Sequence, residues 1–574
     1  MKTRFTFVVL ASVLCAALAQ SCCCGSETEK LNAQAQKEYL EPIRPFTDGR
    51  NPCWNEFCNR FIYAPVFDFQ AKEGAVKYVY TVVRDIAVNE AEVRGDDDSE
   101  EQAAARKAEA TKKGEESWSF SAKTPSESLA PIWNDIPVGK VILSVEAFDK
   151  AGATLGLCEV SQGKKGIVTE RTFMRDFPFE GPYASNVRPY REAALMGMMY
   201  IHTMPQIRHW MESNEPDMTY KHNTYANKII GRTVEIEAKL AQYYPIYREE
   251  ALAIAKGAAQ FLMDQGRPEG EVLAYFPPTY YGGLIASKKD WNKGKMIPMD
   301  ACYAANGFLD LYDACGEQVY FDQALHIADT FVKLQREDGS MPIKCFYESG
   351  EPVNEVGAML HPVLNFARRL QTQYGLTQYE PMRLKAEKWM KEVALETFNM
   401  TGQFEDVNVE GLKPYANLTQ CTGCPFASYL LKGNPTAKDI ADARDLIRMG
   451  EDQFVHWNSL PEKNGIRRLP GPCVFEQLHY QTPVDNSSCN VANALLDLYE
   501  VTGDKLAFAK AKALIDELTV CQFPTNGQCP TTIDYRNPQR DKGRTFWLNC
   551  AVATIEIWLR MADLVGESEI AVAE

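Results

Sequence analysis

Between residues 298 and 342 the spacing of apolar positions changes once, and the change defines a structural unit. Ala301, Ala304, Ala305, Phe308, Leu309, Leu311 and Tyr312 put apolar groups around most of a helix's circumference. Cys315-Gly316 ends that helix, because glycine enters the left-handed conformation without a Cβ clash. Phe321, Ala324, Leu325, Ala328, Phe331 and Val332 then recur at three- and four-residue steps, with Asp322, Gln323, Asp329 and Lys333 on the opposite face. A helix apolar all round, followed by one with a single apolar stripe, predicts a hairpin of an inner and an outer helix. Similar pairs recur at 354–374 with 379–398 and at 487–502 with 506–520, joined by the related turns Tyr374-Gly-Leu-Thr377 and Thr502-Gly-Asp-Lys505. Repetition of one hairpin predicts an α-array.

After the Pro- and Gly-rich stretch 177–182, the same periodicity predicts helices near 189–211, 223–243, 246–264, 298–314, 320–336, 354–374, 379–398, 417–431, 437–457, 487–502, 505–520 and 544–565. Pairing the last with the first makes six hairpins, an (α/α)6 toroid over 187–566 whose funnel is lined by the even-numbered helices. Inner-to-outer links are short, as at Tyr244-Pro245 and Gly503-Asp504, whereas the outer-to-inner links 265–297, 337–353, 399–416, 458–486 and 521–543 are long. The long loops must therefore emerge together, at the N-termini of the inner helices. Long loops on a rigid scaffold carry function, and helix N-termini favour anions.

Residues 50–176 follow a different period. Tyr78-Val-Tyr-Thr-Val-Val83, Trp118-Ser-Phe120, 140–148 and 167–173 alternate or run apolar, with Pro131, Pro137-Val-Gly139 and Gly152 between them. This predicts a small β-sandwich of fibronectin or immunoglobulin kind. Residues 96–116 form a charged excursion from it.

Length and composition narrow the function. A chain of 574 residues with 45% hydrophobic and 24% charged residues is of ordinary globular composition and longer than one domain. The net charge of −16 argues against nucleic acid as partner. Lys2 and Arg4 before the apolar run Phe5 to Ala19 read as an export signal over 1–21, too short to span a bilayer, which takes ~20 residues. Ala17-Leu18-Ala19 suits ordinary signal peptidase, while Ser21-Cys22 suits a lipoprotein site, with membrane attachment only through lipid on Cys22. The tandem Cys22-Cys23-Cys24 favours the latter, in a Gram-negative periplasm. The 17 cysteines show no disulfide framework throughout: Cys302, Cys315, Cys489 and Cys550 fall within helices, and Cys521 and Cys529 are spaced to bridge a loop. Cys421-Thr-Gly-Cys424 has no second CxxC or nearby histidines, and no residue set has metal-ligand spacing, so no metal or other cofactor is expected.

The long loops hold groups suited to a sugar. Tyr281, Tyr415, Trp457, Tyr480 and Trp547 are aromatic faces for stacking on pyranose rings. Asp300, Glu355 and Asp485 are carboxylates near inner-helix starts, with Glu405, Asp406 and Glu476 in loops; glycosidic cleavage needs a protonated carboxyl and a second as base or nucleophile. An Asp at a helix start is commonly an N-cap, which discounts Asp300 and Asp485. Glu476 differs, lying among apolar residues in Pro472-Cys-Val-Phe-Glu-Gln-Leu-His-Tyr480, where an acid's pKa would rise. His479 beside it is a group to orient it or act as base, and His361 reads as a funnel-wall histidine. Arg467-Arg468 and Arg536, Arg540 and Arg544 gather positive charge in two loops, with Arg468 and Arg536 as leading partners for a uronate carboxylate.

Signal, sandwich and six-hairpin ring together resemble the toroid glycosidases and polysaccharide lyases. Ile297-Pro-Met-Asp300, Gln335-Arg-Glu-Asp-Gly339, Val474-Phe-Glu-Gln477 and Pro483-Val-Asp485 resemble glycoside hydrolase family 154, which contains β-glucuronidases. The likeness runs from about residue 180 onward. It implies exo-acting release of terminal β-linked glucuronate from complex glycans, and homo-oligomers. Two other readings are a uronate lyase with Tyr480 or His479 as base, and a non-catalytic glycan-binding lipoprotein.

Mass spectrometry of the mature N-terminus tests the export reading. Acylated Cys22 is the expected first residue, and an unmodified chain beginning at Gln20 would show ordinary secretion.

Overall fold

The computed structural model describes residues 27–44, 54–85, 116–282, 290–403, 408–415, 417–458, 472–478, 480–523, 527–532 and 546–570. Two compact units interleave along the chain. One comprises Met1–Ser185, Glu451–Pro472 and Leu498–Ala513; the other comprises Asn186–Gly450, Cys473–Asp497 and Leu514–Glu574.

In the first unit, strands β1 (Arg60–Phe61), β2 (Lys77–Arg84), β3 (Ser117–Ala122), β4 (Gly139–Phe148), β5 (Thr154–Leu157), β6 (Val160–Ser161), β7 (Ile167–Val168) and β8 (Glu170–Arg175) are present. The strand order β1-β8-β4-β2-β3, with β5 on β4, makes one six-stranded sheet in which only β1 and β8 run parallel; β6 and β7 form a separate ribbon. The described residues therefore make a mixed sheet where two antiparallel layers were expected. Alternation along β4 buries Val141, Leu143, Val145 and Ala147 on one face, as the period of two requires. Trp133 lies in a turn before β4. Its indole N–H donates to the Ile62 carbonyl at 2.8 Å, and its ring stacks on Phe173.

Glu451 is the buried polar centre of this unit. Its carboxylate accepts from the Tyr39 hydroxyl (2.6 Å), the Tyr63 hydroxyl (2.8 Å), the Trp457 indole (2.9 Å) and Lys510 (2.8 Å). Burial pushes its pKa up, but Lys510 and these donors outweigh burial and hold it below the usual range.

The second unit holds most of the helices after residue 186. In chain order they are α1 (Tyr190–His202), α2 (Gly231–Tyr243), α3 (Arg248–Asp264), α4 (Ala301–Cys315), α5 (Gln318–Leu334), α6 (His361–Tyr374), α7 (Glu380–Trp389, continued by a wide turn to Leu395), α8 (Gln420–Leu431), α9 (Ala437–Phe454), α10 (Asp485–Thr502), α11 (Lys505–Gln522) and α12 (Leu548–Val565). The even-numbered helices form a closed ring. Helix α2 packs on α4, α4 on α6 and α6 on α8. Asn490 of α10 donates to Gln420 of α8 at 3.3 Å, Arg560 of α12 pairs with Asp497 of α10 at 2.6 Å, and α12 returns to α2. Odd-numbered helices stand behind them: α3 on α2, α5 on α4, α7 on α6 and α1 on α12. Behind α8, α9 comes close enough that a Cβ at Gly450 would meet the Cys424 sulfur at 2.6 Å, and the Trp558 indole of α12 donates to Ile515 of α11. Six hairpins in a ring is the expected architecture.

The inner helices carry charge where they meet. Arg232 bridges Glu235 (2.6 Å) and Glu556 (3.2 Å), and Lys239 reaches the same two carboxylates. Arg369 of α6 joins Asp310 (2.7 Å) and Asp313 (3.2 Å) of α4. The helices also touch through glycine, since a Cβ at Gly307 would stand 2.6 Å from the Gly231 carbonyl oxygen. Backbone cannot yield as a side-chain tip can, so Gly307→Ala is expected to cost about 1–3 kcal/mol through overpacking. Denaturant unfolding followed by circular dichroism measures it, and an unchanged midpoint would contradict this close approach.

Candidate functional site

The chain enters α2 irregularly. Residues Lys221–Thr224 form a tight turn, and Ala226–Ile230 form a wide π-turn that packs against α4 and α12. Such turns re-aim side chains and are frequent at functional sites. This one carries His222, Tyr225 and Lys228 to Trp547, the residue that precedes α12. The His222 ring stacks on Trp547 at 4.1 Å and Tyr225 at 5.2 Å, and the Lys228 ammonium stands 5.4 Å from the Trp547 ring centre. Tyr280 continues the row, 6.2 Å from Tyr225, with the Lys344 ammonium 5.8 Å from its ring. Lys344 is buried and donates to Asn292 at 2.8 Å; Lys228 is half-buried. An aromatic row thus lies at the inner-helix N-termini, with a cation at each end.

Opposite charge reaches the same place from a hairpin. Strands β9 (Cys473–Gln477) and β10 (Tyr480–Pro483) pair antiparallel, and Glu476 lies in β9. Thr419 and Gln420, at the start of α8, donate to the Glu476 carbonyl at 2.6 and 3.2 Å and so anchor the strand. Cys421 in the first turn of α8 and Cys550 in the first turn of α12 report on the surroundings. The Cys421 thiol is pushed up to about 11, chiefly by burial and then by the Glu476 carboxylate, with hydrogen bonds to Thr419 and Gln420 and the charge of Lys228 opposing the rise. Cys550 is raised chiefly by burial, with Glu476 and Cys421 adding to the rise and Lys228 opposing it. Glu476 and Lys228 therefore act on the same two thiols. Gln420 and Asn490 direct amide N–H groups at the Cys421 sulfur, at 3.1 and 3.5 Å. The neighbours of Glu476 are polar as well as apolar, with the Gln477 amide 3.5 Å from its carboxylate.

The other expected residues fall in several places. Asp300 is buried and accepts from the Thr279 hydroxyl at 2.9 Å, and it makes no side-chain cap to α4. Asp485, expected as an anion at a helix start, is 1% exposed, and burial pushes its pKa well above the ordinary range. Thr554 Oγ lies 3.2 Å from Asp485 Oδ2 and 3.2 Å from the Cys550 carbonyl. One hydroxyl proton cannot serve both acceptors, and a protonated Asp485 satisfies the set. The helix dipole loses here to desolvation. Glu355 precedes α6 by six residues instead of lying inside it; its side chain is 95% exposed and 3.5 Å from Arg336. Trp457, expected as a sugar platform, is a core residue of the first unit, 1% exposed and bonded to Glu451. Tyr415 is likewise buried, its hydroxyl donating to the Thr397 carbonyl at 2.6 Å. The Tyr281 hydroxyl donates to Glu215 at 2.8 Å, and its ring meets Phe261 edge-on. His361 opens α6, and burial pulls its pKa down to about 4, so it is a neutral imidazole.

His479, Arg468, Arg536, Glu405, Asp406 and Cys22 lie outside the described residues, as does the side chain of Tyr480. Among the described residues no group of three or more His, Cys, Asp or Glu is placed to hold a metal. Cys521 and Cys529, spaced to bridge a loop, are not joined to each other. Lys228, His222 and Tyr225 were not singled out from sequence. A lysine after Tyr225-Ala-Asn227 does carry one signal, a charge within an apolar helix entry.

No protein-family model matches the chain, and no curated protein sequence matches it. Solved structures do. A family 76 glycoside hydrolase from a bovine Bacteroides thetaiotaomicron strain is 8% identical with a TM-score of 0.41, covering 87% of this chain and 96% of that one. Cellobiose 2-epimerase from Spirochaeta thermophila is 10% identical with a TM-score of 0.46, over 66% of this chain and 97% of that one. An unsaturated glucuronyl hydrolase specific for heparin is 10% identical with a TM-score of 0.41, over 67% and 98% respectively. Similarity this low leaves the activity to be argued from the site.

Protonation of Asp485 has a readable sign. Its folded pKa lies above the ordinary 3.8, so its contribution to stability is full below that value and is lost as pH rises toward the folded pKa. Asp485→Asn, which keeps the shape and removes the ionisation, should therefore be no less stable than the parent at pH 7 and gain relative to it between pH 4 and pH 7. Denaturant midpoints across that range check it; a large loss at pH 7 would show that the anion is the native form.

Proposed function

We propose that this chain is a glycoside hydrolase releasing a terminal β-linked glucuronic acid from complex glycans. One observation carries the reading. A carboxyl group, Glu476, and an ammonium group, Lys228, act on the same pair of thiols beside an aromatic row, at the end of the ring where the long loops emerge. Aromatic faces suit the apolar side of a pyranose, and a cation within such a site suits the carboxylate of a uronic acid. The resemblance of the Val474–Gln477 and Pro483–Asp485 segments to glycoside hydrolase family 154 supports the same substrate.

In this mechanism Glu476 is the general acid and protonates the glycosidic oxygen as the bond to the anomeric carbon breaks. A second carboxylate, Asp300 or Asp485, serves as base or nucleophile. Asp300 is favoured, because a protonated Asp485 neither attacks carbon nor takes a proton from water. Arg468 and Arg536 are the further partners proposed for the uronate carboxylate, and His479 and Tyr480 are proposed beside them from sequence alone. Export by the N-terminal signal, with lipid on Cys22, would place the enzyme where polymeric glycans are met.

Glu476→Gln should lower kcat on a natural oligosaccharide at least ~100-fold, as removal of a general acid does. The loss should shrink for aryl glucuronides, whose leaving groups need less protonation. Near-normal turnover by this variant would overturn the assignment. Product absorbance of an unsaturated uronate would mark elimination in place of hydrolysis.

A further inference from the structure

We infer that Gln420 is the positioning residue for Glu476, holding the strand that carries the acid from the start of α8. The inference rests on the reading of Glu476 as the general acid, and it adds the group on which that acid's placement depends. Two independent observations meet there. The first is the ladder: Phe475 faces Pro483 and Gln477 faces Tyr480, so the β9–β10 register slips by one residue across Glu476. Irregularities of this kind re-aim a side chain and disrupt the ladder locally. The second is a buried amide aimed at that irregularity. Gln420 is 0% exposed, and its Nε2 donates to the Glu476 carbonyl at 3.2 Å and the Phe475 carbonyl at 3.4 Å.

Chemistry sets which way this amide points. Backbone carbonyls only accept, so the nitrogen of Gln420 faces the strand and its oxygen faces away. That oxygen accepts from Asn490 Nδ2 of α10 at 3.3 Å. Gln420 therefore ties two inner helices to the backbone beside one carboxyl group. Thr419 holds the same Glu476 carbonyl at 2.6 Å, but its hydroxyl also caps α8 by accepting from the Cys421 N–H at 3.1 Å. Changing Thr419 would disturb the helix start, whereas Gln420 makes no such cap. Glu476 is half-buried, so its backbone is clamped on the inside while the residue keeps contact with solvent. A general acid must come within about 2.6–3.2 Å of the oxygen it protonates, so a shift of this strand by ~1 Å is felt in bond breaking.

The test compares Gln420→Met, which keeps the length and removes the amide, with Asn490→Leu, which removes the group behind it. The substrates are phenyl and para-nitrophenyl β-glucuronide, of which the second has the better leaving group. A misplaced acid predicts kcat lowered about 10- to 100-fold on the phenyl glycoside in Gln420→Met, no more than about threefold on the para-nitrophenyl one, and KM within about twofold on both. Asn490→Leu should show the same split with a smaller loss, and it decides alone if a thermal melt shows Gln420→Met unfolded. Adding Gln420→Met to Glu476→Gln should cost nothing further, because both act through one carboxyl group. Equal losses on the two glycosides, or none on either, would overturn the inference and leave the acid to the Glu476→Gln result. A parent that cleaves no glycoside removes the acid reading, and amide hydrogen exchange then decides the clamp. Exchange over 473–478 at least about tenfold faster in Gln420→Met, with the rest of the chain unchanged, would uphold it, and unchanged exchange would overturn it.

Discussion

A closed ring of helices leaves its inner members with little solvent on any side, and the organisation of the second unit follows from that constraint. Charge on an inner helix must be met by a neighbour, because an unpaired ion away from water is costly. Arg232, Glu235, Lys239 and Glu556 meet across α2 and α12; Asp310, Asp313 and Arg369 across α4 and α6; and Asp497 and Arg560 across α10 and α12. These pairs fix which residues face each other, a register that apolar contact alone leaves loose. The same crowding demands glycine at the α2–α4 approach, where Gly231 and Gly307 bring two backbones together.

With the ring closed, the described irregular segments before α2, α8 and α12 lie at the N-terminal ends of inner helices. Each departure from regular structure at that end moves a group toward the same space. The π-turn sets Lys228 and Tyr225, Trp547 precedes α12, and the β9–β10 hairpin carries Glu476 to the α8 N-terminus. Glu476 raises and Lys228 lowers the pKa of both the Cys421 and the Cys550 thiols. Desolvation dominates both thiols, so they are poor nucleophiles that register their neighbours' charges.

The first unit solves the buried-charge problem differently. A single carboxylate, Glu451, gathers donors from Tyr39, Tyr63, Trp457 and Lys510, which are far apart in sequence. That network explains why Trp457 is unavailable to a ligand. An indole whose N–H satisfies a buried carboxylate cannot leave it without exposing an unpaired charge to an apolar interior.

Local periodicity alone determined that residues beyond 186 form helix hairpins and that they alternate inner and outer. Those features depend on spacings of three to seven residues and on Gly at helix ends, which a chain displays without folding. The strand character of 77–84, 117–122, 139–148 and 170–175 was legible for the same reason. Only tertiary structure decided the rest, because it turns on which distant groups meet. Whether Asp485 is an anion depends on how deeply other helices bury it, and desolvation there exceeds the helix-end field. Whether Trp547 or Trp457 borders a site depends on the partners each finds. Composition treats the two alike, but one precedes α12 beside Lys228, and the other fills a core against Phe179. Pairing of β1 with β8 in parallel joins residues more than a hundred positions apart, and no local pattern records it.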